Sequence, residues 1–153
     1  MNTMNILGFN IKIIYADNEH HTSDWEWHSD DNQWIGFHLW YVYNNKVKIE
    51  VEDATYTLTP GDSFIFDLSR NHHCTHNPEK PVEMYSLYFH CDKMETLSHM
   101  LDTGQIWRSN HLPSFELNCK LFEEVIKNNN NEYAANMFAT PLFYQLFSYK
   151  AKP

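Results

Sequence analysis

Between Leu58 and His73 the chain has little freedom. Leu58-Thr59-Pro60-Gly61-Asp62 is a turn, Ser63-Phe64-Ile65-Phe66 a short apolar run, and Asp67-Leu68-Ser69-Arg70-Asn71 a second, polar turn that delivers His72-His73. Proline and glycine side by side force a reversal, and an apolar run this short between two turns predicts a buried strand. Val82 to Phe89 is a further strand, with Tyr85, Leu87 and Phe89 on one face and Met84, Ser86 and Tyr88 on the other. Two strands joined this way, with a histidine at the mouth, predict the wall of a small β-barrel with a pocket inside it.

Upstream, Ile11, Ile13 and Tyr15 alternate with Lys12 and Ile14 as a first strand, after a flexible arm over Met1 to Phe9. Ala16 to Ser23 is polar, with Asp17-Asn18 as its turn. Trp25-Glu26-Trp27 alternates again before a loop over Ser29 to Asn32. Trp34 to Tyr43 is apolar or aromatic on both alternating faces, which predicts a strand covered on both sides. Either the His38 and Trp40 face or the Leu39 and Tyr41 face lines the barrel; the alternation does not choose. Asn44-Asn45 is a hairpin turn, because asparagine tolerates positive φ. Val47, Ile49 and Val51 then alternate with Lys46, Lys48, Glu50 and Glu52 as a half-buried strand.

After His90 the period becomes helical. Asp92 is positioned to cap a helix reaching Leu101, and Gly104 to Leu112 forms a connector. Ser114 caps a helix carrying Leu117, Leu121, Phe122 and Val125, and a last helix covers Glu132 to Lys150, kinked or started at Pro141. Phe138, Phe143, Tyr144, Phe147 and Tyr149 make that helix apolar around much of its circumference, which predicts packing against a second copy. Strands first and helices after define an α+β chain, mainly β.

A length of 153 residues fits one domain able to bury a core without disulfides. A net charge of −9 opposes direct grip on a phosphate backbone. Cys74, Cys91 and Cys119 are odd in number and lack metal-finger spacing, as expected of thiols in a reducing, cytoplasmic setting. No apolar run is long enough to span a membrane, and Met1 to Phe9 lacks the features of a signal peptide.

Pro60-Gly61-Asp62, the hydrophobic strand after it, His72, the Tyr85 to Phe89 strand and the C-terminal helix pair together resemble the cupin-type effector domain of AraC-type bacterial transcription regulators. Trp25 and the Leu39-Trp40-Tyr41-Val42 strand fit its looser upstream pattern. Asp67 and Ser69 stand where proline and glycine are usual, and Asn45 replaces the customary hairpin glycine. The resemblance implies a cupin-like (jelly-roll) β-barrel over residues 11–91 behind an arm at 1–10, followed by a helical dimerisation segment at 92–153. It also implies a small effector, often a sugar, inside the barrel, a homodimer formed through the helices, and DNA contact only through a helix-turn-helix half that these residues do not include. No cofactor is implied.

The candidate ligand-binding residues are His72, Cys74, Tyr85, Leu87, His38, Trp40 and Trp25. His72 can meet a ligand hydroxyl or tie down its own loop. Cys74, two residues on, faces the same side as a contact or as packing. Tyr85 can stack on a sugar face, with Leu87 beside it, or both can fill core. Trp25 and Trp27 offer stacking surfaces or core. A rival reading is a metal-dependent cupin enzyme, an oxygenase or isomerase. It needs about three converging ligands, whereas the strand at His38-Leu39-Trp40 supplies one histidine where such enzymes have two. A third reading is a barrel filled by Tyr85, Trp40 and Phe64 that serves only to dimerise.

Overall fold

The computed structural model describes residues 3–28, 35–52, 54–102 and 114–147. These form strands β1 (Met4–Ile6), β2 (Phe9–His20), β3 (Glu26–His28), β4 (Phe37–Asn44), β5 (Val47–Val51), β6 (Ala54–Leu58), β7 (Ser63–Asp67), β8 (His72–His76) and β9 (Glu83–Cys91). Helices α1 (Met94–Asp102), α2 (Phe115–Lys127) and α3 (Glu132–Phe147) follow. One antiparallel sheet has the order β1-β2-β9-β4-β7 and the other β3-β8-β5-β6. The two face each other without closing, as a mainly β, jelly-roll-like barrel, and the helices cover the outer face of the larger sheet.

The Pro-Gly-Asp turn takes its expected form. Gly61 has φ 92° and the Asp62 amide donates to the Thr59 carbonyl at 2.9 Å. The buried Asp62 carboxylate accepts from the Thr59 amide at 2.8 Å and its hydroxyl at 3.1 Å, while across to β4 the Gly61 amide donates to the Val42 carbonyl at 2.8 Å and the Val42 amide to the Asp62 carbonyl at 3.1 Å. Asp67 substitutes for the usual turn proline by accepting from the Ser69 amide and hydroxyl, and its second oxygen holds Ser98 of α1 at 2.5 Å. Asn45, with φ 63°, makes the β4–β5 hairpin without glycine.

The doubly covered strand is β4. Phe37, Leu39 and Tyr41 face the helices with Ile65, Leu87, Phe89, Phe122, Phe143 and Leu146. Trp40 and Val42 face the opposing sheet with Ile49, Leu58, Phe64, Phe66, Cys74 and Met84. His38 and Trp40 therefore line the barrel.

Several expectations need correction. Asp17-Asn18 is not a turn: β2 runs unbroken to His20 because β9 pairs with it as far as His20↔Glu83. A register shift between Ile13 and Tyr15 then sets Tyr15 opposite Tyr88 on the barrel side, apart from Ile11 and Ile13. The arm is not loose. Leu7 and Gly8, both at positive φ, turn β1 back onto β2, and Met4 and Ile6 are buried under α3. Asp92 does not cap α1; it accepts from the Asn10 amide at 2.7 Å and side chain at 2.9 Å, and Ser114 makes no side-chain cap bond to α2. Helix α3 continues through Pro141. Phe143 is buried and Phe138 half-buried, so the exposed apolar stripe is Tyr133, Met137 and Tyr144. The expected loop at 29–32, Trp34, the connector at 104–112 and residues 148–150 lie outside the described residues. Within the described residues no helix is long and apolar enough to cross a membrane.

Candidate functional site

The barrel interior is walled by aromatic rings. Trp40 of β4 lies 5.2 Å from Trp27 and 6.1 Å from Trp25, centroid to centroid, and meets Phe66 of β7 edge-on at 4.5 Å. Trp27, on the short edge strand β3, sits 4.1 Å from His72 and perpendicular to His38 at 6.0 Å. Tyr15 and Tyr88 close the far side of His38. His21 stacks on Trp25 at 4.2 Å, with its Nε2 3.6 Å from Glu19 Oε1. Alternation accounts for the placement: each of these strands sends every second side chain inward.

Several polar atoms on this wall lack partners. Both ring nitrogens of His38, Trp40 Nε1, His72 Nε2, His21 Nε2 and Glu19 Oε2 are buried without a hydrogen bond. Buried polar groups are normally satisfied, and a cluster of exceptions marks a place where a ligand or water belongs. Burial holds His38 down to about 4, with a contribution from neighbouring His72, and likewise His21 to about 4. His72 is lowered by burial as well. Its Nδ1 donates to the Arg70 carbonyl at 3.1 Å, so in the neutral ring Nε2 is a bare acceptor facing inward. Burial raises the Glu19 carboxyl, and the Ser86 hydroxyl beside it partly opposes this. The set is thus imidazoles whose protonation burial disfavours, an indole N–H and a carboxyl whose ionisation burial disfavours.

Of the sequence-derived candidates, His72, Cys74, His38, Trp40 and Trp25 come together on this interior. Cys74 is a packed thiol whose ionisation burial strongly opposes. Tyr85 and Leu87 do not join them, because odd-numbered residues of β9 face the helices. Tyr85 stacks on Phe122 at 5.2 Å and donates to Glu123 at 3.0 Å; Leu87 is core beneath the helices. Trp40 and Phe64 do occupy the interior, but Tyr85 cannot help to fill it. Glu19, His21, Tyr15 and Tyr88 were missed: Glu19 and His21 because the first strand was read as ending at Tyr15, and Tyr15 because the register shift after Ile13 that turns it inward leaves no mark in the alternation; the contact of His21 with Glu19 and Trp25 becomes visible only once the strand is extended. Among the described residues the one group of three His, Cys, Asp or Glu donors within mutual reach is Glu26, His28 and His73, on the outside of the barrel. A separate cleft of about 350 Å³, lined by Gly36, Asp67, Met94 and Ser98 among others, lies on the helix side and touches none of the interior candidates.

Residues 10–146 match the model of the AraC-like ligand binding domain. The chain belongs to that family. Among solved structures, the AraC-like transcriptional activator CuxR matches with a TM-score of 0.55 at 8% identity, over 95% of this chain and 53% of that one, so the chain spans about half that activator's length. The Cnp3 cupin domain of Schizosaccharomyces pombe also matches (TM-score 0.44, 11% identity, 65% of this chain and 74% of that one). So does a cupin 2 conserved barrel domain protein of Salinispora arenicola (TM-score 0.41, 10% identity, 57% of this chain and 80% of that one). No curated protein matches the sequence. The tryptophan faces and the unpartnered polar atoms of this AraC-like domain lie together on the interior of its barrel.

Proposed function

We propose that this AraC-like domain senses a small, neutral, polyhydroxylated molecule, a mono- or disaccharide, held inside the barrel. The reading rests on one observation, the pairing of tryptophan faces with partnerless buried polar atoms on His38, Trp40 and His72. A sugar ring has CH faces that stack on indole and hydroxyls that both donate and accept, so it matches acceptors and donors fixed in this way. No Lys or Arg is buried among the described residues, so an anion would meet no counter-charge inside.

Strand β9 is the element through which binding is felt elsewhere. Its Met84, Ser86 and Tyr88 side faces the interior, whereas Tyr85 and Leu87 touch the helices. A ligand that prefers one setting of β9 shifts the population of α2 and α3 settings, which a second copy and a DNA-binding half outside these 153 residues read out in the cytoplasm.

The test is a thermal-shift and calorimetric panel of neutral mono- and disaccharides. At a hundred times its Kd a true effector stabilises by about 2.7 kcal/mol, a rise of about 5 °C or more in Tm for a chain of this size. His38→Gln and Trp40→Phe should abolish the response while the protein stays folded. Stabilisation by none of the sugars, or a response unchanged in both variants, defeats the proposal.

A further inference from the structure

We infer that the outer face of the smaller sheet carries a site for a divalent transition ion of the zinc type, built from Glu26 and His28 of β3 and His73 of β8 and backed by Glu50 of β5. Register places the four together. His28 pairs with His73, and Glu50 pairs with His73 from the other side. Glu26 precedes His28 by two, so it leaves the sheet on the same face. That face is outward, because His72 and Cys74, which alternate with His73, point into the barrel.

The donors converge. The His28 and His73 rings stack at 4.2 Å and 8°. Each directs Nε2 at the same carboxylate oxygen, Glu26 Oε1: His28 at 3.0 Å, and His73 in a hydrogen bond. All three ligand atoms lie within 4.8 Å of one another. A tetrahedral ion with bonds of about 2.0–2.1 Å holds its ligand atoms somewhat over 3 Å apart, so small side-chain rotations suffice. His73 Nδ1 lies 3.6 Å from Glu50 Oε2, the carboxylate–imidazole arrangement that orients a metal-binding histidine and leaves its Nε2 lone pair outward. Two imidazoles and a carboxylate are the donor set of open zinc sites. The four side chains are between 33% and 48% exposed, which leaves a coordination position to water.

Such an ion would be a clamp. Strand β3 is a three-residue edge strand, and Trp27 on its inner side packs 4.1 Å from His72. Fastening Glu26 and His28 to His73 fixes the wall of the interior as well.

The experiment titrates metal-free protein with Zn²⁺ alone by calorimetry, and with Co²⁺ as a spectroscopic probe. The wild type should take up one ion with a visible Co²⁺ d–d band and a raised Tm. His28→Ala and His73→Ala should each remove both, Glu50→Gln should weaken binding about tenfold or more, and His20→Ala, at another exposed histidine, should change nothing. Wild-type uptake that survives both His28→Ala and His73→Ala, or no uptake by the wild type, overturns the site and leaves only an ion-paired patch. If the alanine variants misfold, Co²⁺ broadening of the His28 and His73 ring signals in the wild type decides: broadening of other histidines instead refutes it.

Discussion

Glu19 is the interior side chain most out of place in an apolar barrel, and its cost can be measured. Burial raises its folded pKa above the ordinary value of 4.5, with Asp17 adding to the effect. The unfolded chain therefore releases this proton at lower pH than the native one. Between those two values stability falls as pH rises, and above the folded value the whole penalty applies. His38 and His21 act oppositely: each is held near 4 against an ordinary 6.5, so each lets stability rise with pH across that window. Replacing Glu19 by glutamine removes the first slope and keeps the second. Glu19→Gln should be more stable than wild type at pH 7 by about 1 kcal/mol, the scale for a poorly paired buried polar group. The gap should open as pH rises above 4.5. Urea midpoints from pH 4 to 8 give that gap directly, and a constant or inverted gap would show that Glu19 is not a burdened site residue. A stabilised variant that also binds sugar less well would place Glu19 among residues kept for function.

At the scale of elements, alternation made β4, β5, β7 and β9 legible, and the first three are also bounded by turns with their own chemistry: Asn45, Pro60-Gly61-Asp62, Asp67-Ser69. The inward set His38, Trp40, His72 and Cys74 could be named for the same reason, although which face of β4 lined the barrel needed the helices to be seen covering Phe37 and Leu39. Illegible were features set by distant partners. Nothing local tells that polar Asp17-Asn18 continues a strand; the pairing with Ser86 and Tyr85 decides it. Tyr85 resembled a pocket residue until α2 took its face. The first residues behave likewise. Leu7-Gly8 is a weak turn signal, yet β1 is held by burial under α3, with Ile6 0% exposed. Ile6→Ala should therefore cost about 2–4 kcal/mol, as for other large-to-small core changes. A flexible arm would lose almost nothing, so a urea-midpoint loss below about 0.5 kcal/mol, the range of ordinary surface substitutions, would return residues 3–6 to that description.

For the whole molecule, the question is what covers the helical layer. Helix α3 exposes Tyr133 (70%), Met137 (58%) and Tyr144 (43%) at helical spacing, and α2 adds Leu117 (49%). Phe122, Leu142, Phe143 and Leu146 already seal the core beneath, so the exposed part of this outer stripe is not needed to close the core of one copy. Large apolar side chains aligned in this way mark a partner surface. A second copy is the simplest partner, since a two-fold axis lets one stripe meet itself. An interface of ordinary size would bury about 1,600 Å² in total, and each changed residue enters it twice. Met137→Glu therefore sets two carboxylates into one apolar contact. We expect sedimentation of the wild type at micromolar concentration to give a dimer and Met137→Glu to weaken it at least tenfold, because burying an unpaired charge costs more than the 1.4 kcal/mol that tenfold represents. Thr55→Glu, on the opposite sheet, should leave the dimer intact. A monomeric wild type would remove the proposal. So would a dimer indifferent to Met137→Glu but broken by Thr55→Glu, which would move the interface to the face bearing His28 and His73 and make the ion site there a candidate bridge between copies.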